Sequence, residues 1–240
     1  MNSDRAISIC LEPRKVFFVF LGIIALLAVA HLCGQFARFV LGHSSMLGLV
    51  PAFDLGNERN FPTVWSSFQL LFCSFFVGSM AAYSLRGRER FALRWVILSV
   101  LFACMSVDEL VGIHEHSGKL VDFIFDQFGI ELSGMLMYSW VIPASIFIVV
   151  FVIYYGSFLM SLPRTTMIGF CAAGTLFVSG AVGLEVFEAD IDSSGGYANL
   201  PYSILVTFEE LFEMIGISLF IYVLLRHMAS LGISCRVKIG

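Results

Sequence analysis

Three runs of this 240-residue chain place carboxylates, one of them with histidine, at spacings that suit a cation. They are Ser106-Val107-Asp108-Glu109-Leu110-Val111-Gly112-Ile113-His114-Glu115-His116, then Glu185-Val186-Phe187-Glu188, then Phe208-Glu209-Glu210-Leu211-Phe212-Glu213-Met214. Each interrupts a stretch otherwise apolar enough for lipid, where a charged side chain costs several kcal/mol or neutralises. So many acids at such positions need a shared reason.

On an uninterrupted helix Asp108 and Glu115 share a face, with Gly112 between them leaving room for a ligand or another helix. Glu109 and His116 form a parallel pair on the adjoining face, and Glu209 and Glu213 share a face at i,i+4. His114 points elsewhere, so either the helix end unwinds there or His114 stands behind the ligands. Repulsion among these groups must be relieved by protons or by a cation. The ligand set expected is Asp108, Glu109, His114, Glu115, Glu185, Glu209, Glu210 and Glu213. Carboxylates and histidine from facing helices hold di-metal sites in bundles, although the usual Glu-x-x-His spacing is absent. The same donors suit a single divalent metal ion (Zn, Mn or Fe), and an all-oxygen subset suits Ca. His31, at a similar depth, stands equally between ligand and packing; Asp54 and Glu58 could join from an outer loop.

The elements that must position these groups are membrane helices. The chain is 58% hydrophobic and 13% charged, with 25 phenylalanines and a mean hydropathy of +0.89, far beyond what a soluble domain of this length uses. There is no basic stripe with interleaved aromatics, so nucleic acid is not a partner. The six cysteines are scattered without a CxxC pair, which argues against a disulfide framework and a cysteine metal site. Apolar windows long enough for a ~30 Å bilayer core fall at about 16–36, 63–85, 92–115, 134–160, 166–187 and 202–225. The expectation is an all-α, polytopic bundle of six transmembrane helices forming a single domain. The first window is read as an uncleaved helix rather than a signal peptide.

Lys and Arg set the orientation. With a cytoplasmic amino terminus, the inside carries Arg5, Arg14, Lys15, Arg86, Arg88, Arg90, Arg94, Arg164, Arg226, Arg236 and Lys238, against Arg38, Arg59 and Lys119 outside. Both termini are then cytoplasmic. Of 18 acids, only Asp4, Glu12 and Glu89 fall inside. Asp108 follows Arg94 by a helical rise of ~21 Å, roughly 10 Å below the outer face. Glu209 and Glu213 lie ~12 and ~18 Å past Pro201. Glu185 and Glu188 end the fifth window near the outer surface, so three helices deliver acids to one outer-half layer. The longer connections, about 37–62, 116–133 and 188–201, lie on that side.

Plainer readings apply to several residues. Lone intramembrane acids can be hydrogen-bonded structural groups. Glu188, Asp190 and Asp192 read as solvated loop residues, and His43 and His227 as surface residues at membrane edges. Met135, Met137, Tyr138 and Trp140 read as interfacial anchors or packing.

The chain resembles a family of uncharacterised bacterial multi-span membrane proteins. The shared signatures are Phe53-Asp54-Leu55 with Glu58, Asn60, Pro62-Thr63 and Ser66-Ser67; Ser106 through Glu115; Trp140-Val141-Ile142-Pro143; Gly183 and Glu185; and Thr207-Phe208-Glu209-Glu210 with Glu213-Met214 and Gly216. The similarity spans about residues 40–225 and departs at Gly56, where an acid commonly follows the leucine. It implies that the first outer loop and the third, fifth and sixth helices work together, and it supplies no reaction.

Three functions are expected from these features. The first is a membrane-embedded, metal-dependent enzyme in the bacterial inner membrane, its site facing the periplasm and acting on an apolar or lipid-like small molecule. The second is a proton- or cation-coupled transporter, against which stand inner helix halves almost without ionisable groups. The third is an accessory subunit bound to other membrane subunits, its carboxylates holding a structural cation.

Overall fold

The computed structural model describes residues 7–196, 199–233 and 236–239. Asp4, Arg5 and Cys235, used in the reading above, lie outside the described residues. The elements run β1 (Ile7–Cys10), α1 (Pro13–Phe39), a short α2 (Leu49–Ala52), α3 (Phe61–Arg86), α4 (Ala92–Val111) and α5 (Ile113–Asp126). They continue with α6 (Val141–Leu159), α7 (Arg164–Val178), a π-helical stretch (Ser179–Leu184), α8 (Glu185–Gly195), α9 (Leu200–Ser230) and β2 (Arg236–Ile239). β1 and β2 pair antiparallel, Ile7 opposite Ile239, so the two ends of the described chain meet on one face of an otherwise helical fold.

Local sequence sets the helix ends. Asn60 caps α3 by accepting the Thr63 N–H at 3.2 Å, and Asn199 caps α9 by accepting that of Tyr202 at 2.9 Å. Each cap is followed by proline in the first turn, where a missing N–H costs nothing. Four segments are long and apolar enough to cross a membrane: Pro13–Phe39, Phe61–Arg86, Val141–Leu159 and Arg164–Gly195. A fifth qualifies if α4 and α5, bent by 82° at Gly112, count as one broken span. Large apolar side chains such as Leu26, Phe75 and Ile153 point outward from these helices, as lipid contact requires.

Helix α9 runs through the middle, packed by α1, α3, α7 and α8. Small residues allow the closest approaches. A Cβ on Gly216 would lie 2.9 Å from the Phe177 backbone nitrogen, and Val223 fits over Gly169. Helices α3 and α4 are joined by reciprocal serine bonds, Ser67 with Ser106 and Ser74 with Ser99, which keep hydroxyls satisfied away from water. The bundle divides along its length. The half near Arg86, Arg94 and Arg226 is an apolar core of Cys73, Val77, Met80, Trp95, Phe158 and Leu224. The other half holds the carboxylates.

Four expectations change. The window 92–115 is not one straight helix, because Gly112 takes a left-handed φ of +66° and ends α4 at Val111. The window 134–160 becomes helical only at Val141, after a 3-10 turn at Gly134–Leu136. The outer connections 116–133 and 188–201 are largely helical, as α5 and α8. His227 is buried rather than superficial, facing Thr166 and stacked on Trp95, because α9 continues straight through the position assigned to a membrane edge.

Candidate metal centre

The break at Gly112 shapes the first part of the site. The Gly112 N–H bonds the Asp108 carbonyl at 2.7 Å, closing α4 with a left-handed residue as glycine allows. The Asp108 carboxylate then caps α5: Oδ1 accepts the His114 backbone N–H at 2.8 Å and Oδ2 accepts from His114 Nδ1 at 2.9 Å. One acid thus starts a helix and fixes an imidazole. In the neutral ring, Nδ1 donating to Asp108 leaves the lone pair on Nε2. The helix does unwind at its end, and His114 is turned back toward Asp108. The face shared by Asp108 and Glu115, and that shared by Glu109 and His116, therefore do not form.

The second part lies where α8 meets α9. Ligand oxygens of Glu185, Glu188 and Glu209 all fall within 4.8 Å of one another, the one set of three or more acidic, histidine or cysteine ligands that converges among the described residues. Glu188 is 2% and Glu209 8% exposed. Glu185 and Glu188 reach the same face through their i,i+3 spacing, and the preceding π-helical stretch sets the rotation of α8 relative to α7. Glycine makes the meeting close: a Cβ on Gly180 would sit 2.7 Å from the Glu209 carbonyl oxygen and 3.1 Å from Glu213 Cγ. Glu188 Oε1 is buried and has no hydrogen-bond partner.

Trp140 connects the two parts. Its Nε1 donates to Glu185 Oε1 at 3.1 Å, and its ring centroid lies 4.7 Å from that of His114, edge to face. Beyond the triad the Tyr138 hydroxyl donates to Asp192 Oδ2 at 2.9 Å and lies 3.2 Å from that of Tyr202. Tyr138 and Trp140, read as interfacial anchors or packing, also bond acids of α8.

The remaining predicted residues are distributed around this centre. Glu109 and Glu213 line a small cavity between α3, α4 and α9. Glu210 is half-buried in the same layer, and Glu115 is exposed. The Glu58 carboxylate lies over the bend, its Oε1 2.8 Å from where a Gly112 Cβ would stand. Burial and the adjacent Glu115 carboxylate push the Glu58 carboxyl above its ordinary range.

His31 belongs to a separate polar knot. Its Nδ1 accepts the Leu55 N–H at 3.0 Å and its Nε2 faces the Thr207 hydroxyl at 3.0 Å, tying α1, the first outer loop and α9 together. Asp54 accepts from Gln35 at 3.0 Å and from the Gly56 N–H. With its ring nitrogens engaged in this way, His31 works as a clamp on the loop.

The sequence model of a family described as domain of unknown function DUF8692 matches residues 18–228. The chain belongs to that family. The matched span includes the triad, the Asp108–His114 pair and Trp140. No curated protein and no solved structure shows significant similarity to the chain.

Glu188 is the residue that sequence reasoning misplaced, as a solvated loop acid. Its signal was the Glu-x-x-Glu spacing with Glu185, which on a continuing helix puts both carboxylates on one face. For Trp140 no comparable signal exists, since its contact with Glu185 spans 45 positions of chain.

Proposed function

We propose that this is a six-span membrane metalloprotein with cytoplasmic termini, in which Glu185, Glu188 and Glu209 hold a divalent cation in the periplasmic half of the bundle. The carrying observation is the buried Glu188 Oε1 that has no partner beside two other carboxylates. Buried acids left so close repel strongly, and an unpartnered buried oxygen is costly, so the arrangement asks for a shared positive charge. Three carboxylates suit Mn or Ca best, with Fe and Zn as weaker fits to an all-oxygen set. Trp140, donating to Glu185, is the kind of outer partner that orients a metal ligand.

The chemistry favoured is that of an enzyme on an apolar or lipid-like substrate. A bound divalent cation supplies Lewis acidity and lowers the pKa of a bound water. His114, held by Asp108 through Nδ1 and packed on Trp140, keeps Nε2 available to take a proton. The sixth span in this reading is α9, whose long apolar second half follows the acids. A conducting path is disfavoured by the opposite half of the bundle, where Cys73, Val77 and Leu224 are fully buried apolar side chains.

Elemental analysis of the full chain purified in detergent tests the reading. One equivalent of Mn, Fe, Zn or Ca that depends on Glu188 is expected, so Glu188→Gln should carry one equivalent less than the native chain while retaining its helical spectrum. Protein free of all four metals after growth with each supplied overturns it.

A further inference from the structure

A second group of oxygens lies deeper in the bundle. Ser66 and Gln69 of α3, Glu109 of α4 and Glu213 of α9 line a partly open cavity of about 10 Å³, together with apolar side chains that include Leu70, Phe177 and Ile217. Gln69 is 1% exposed and Ser66 8%. The orientation of the Gln69 amide is fixed: Nε2 lies 3.3 Å from the Met214 carbonyl, which only accepts, and 2.7 Å from Ser218 Oγ. Its Oε1 is therefore an acceptor, and it is buried with no partner, as is Ser66 Oγ. Glu109 and Glu213 add two carboxylates to the same walls. Acceptors outnumber free donors here: the Gln69 N–H groups are turned to Met214 and Ser218, which leaves the Ser66 hydroxyl as the uncommitted neutral donor among the four.

We propose that this cavity is a second cation site, selective for one dehydrated hard cation, Na⁺ or Ca²⁺. It shares no donor with Glu185, Glu188 and Glu209, and it stands whether or not they hold a metal. The donors are all oxygen, two anionic and two neutral, which is hard-cation chemistry; with neither imidazole nor thiolate there is little to favour Zn or Cu. Size sharpens the choice. About 10 Å³ is room for one water-sized occupant, so an ion must shed its hydration shell to enter. Mg²⁺ dehydrates reluctantly and is excluded on that ground, whereas two carboxylates able to bind through both oxygens can approach the coordination Ca²⁺ requires. A bound ion would tie α3, α4 and α9 together one helical turn, ~6 Å, from Glu209.

The test is equilibrium binding of ²²Na⁺ and, separately, ⁴⁵Ca²⁺ to the full chain in detergent, in a Glu188→Gln background so that the outer triad does not contribute. One equivalent of one of the two ions is expected, insensitive to excess Mg²⁺ and to Asp122→Asn, an exposed acid. Adding Glu213→Gln should weaken binding at least tenfold. Adding Ser66→Ala, which removes one hydroxyl and leaves the fold's other bonds in place, should weaken it several-fold. Binding of neither ion in the Glu188→Gln protein, or equal binding with and without Glu213→Gln, overturns the proposal. Because the readout is a hard cation in a protein already lacking Glu188, failure here is separate from failure of the outer metal.

Discussion

Trp140 Nε1 donates to Glu185 Oε1 at 3.1 Å, joining the start of α6 to the start of α8 and placing the indole between His114 and the carboxylate triad. This one side chain orients a candidate ligand with its polar edge and supports the Asp108–His114 pair with its ring.

Replacing Trp140 by Phe removes the donor and keeps most of the packing. Outer partners of metal ligands are typically worth about 10- to 100-fold in affinity. Mn²⁺ titration followed by electron paramagnetic resonance should show a loss in that range, with the helical spectrum unchanged. An unchanged affinity would show that the Trp140–Glu185 bond does not orient a ligand.

Gly180 sits where the α7–α8 arm presses on α9. Gly180→Ala places a Cβ 2.7 Å from the Glu209 carbonyl, and backbone cannot yield as a flexible side chain does. The helices must separate, carrying Glu209 away from Glu185 and Glu188. Both a lower thermal midpoint and weakened Mn²⁺ binding are expected; a drop in stability with binding intact would mean that the triad does not depend on this approach.

Gly112→Ala puts a Cβ on a left-handed backbone; Glu58 Oε1, 2.8 Å from it, is the end of a flexible exposed side chain and can move aside. The left-handed conformation alone costs about 1 kcal/mol or more for a residue with a Cβ. Thermal unfolding should shift down, and by a similar amount in a Glu58→Ala background, because the left-handed backbone carries the cost; a shift that vanishes without Glu58 would place the cause in that contact instead.

Glu58 gives a pH signature with a defined sign. Its carboxyl is raised above the ordinary value by burial and by Glu115, so folding favours its protonated form. Its contribution to stability is present below pH 4.5, the ordinary glutamate value, and is lost as pH rises through the higher folded value. Glu58→Gln should therefore raise the thermal midpoint at pH 8 and leave it unchanged at pH 4. Equal effects at both values would place the cause in packing rather than titration.

Much of the bundle was legible because lipid imposes a length and an apolarity that sequence displays directly. The windows at 16–36, 63–85, 166–187 and 202–225 all fall on helices. What was hidden depends on single residues acting across distance. Gly112 looked like room for a ligand, and it is a helix break, because Asp108 caps the next helix instead of facing Glu115. Glu188 looked like a loop acid because its neighbours Asp190 and Asp192 are polar, whereas α8 extends to Gly195 and turns Glu188 inward. Ser66 showed only as half of the Ser66-Ser67 signature and Gln69 not at all, since a neutral ligand acquires meaning only from the acids opposite it.

The central claim is that Glu185, Glu188 and Glu209 share a metal ion. Anomalous diffraction from crystals of the full chain, recorded above and below the absorption edges of Mn, Fe and Zn and at a long wavelength for Ca, tests it most directly. The account predicts one anomalous peak in contact with oxygens of all three glutamates, absent in Glu188→Gln. Density for three carboxyls bonded only to one another, with no peak at any wavelength in metal-supplemented crystals, would contradict it.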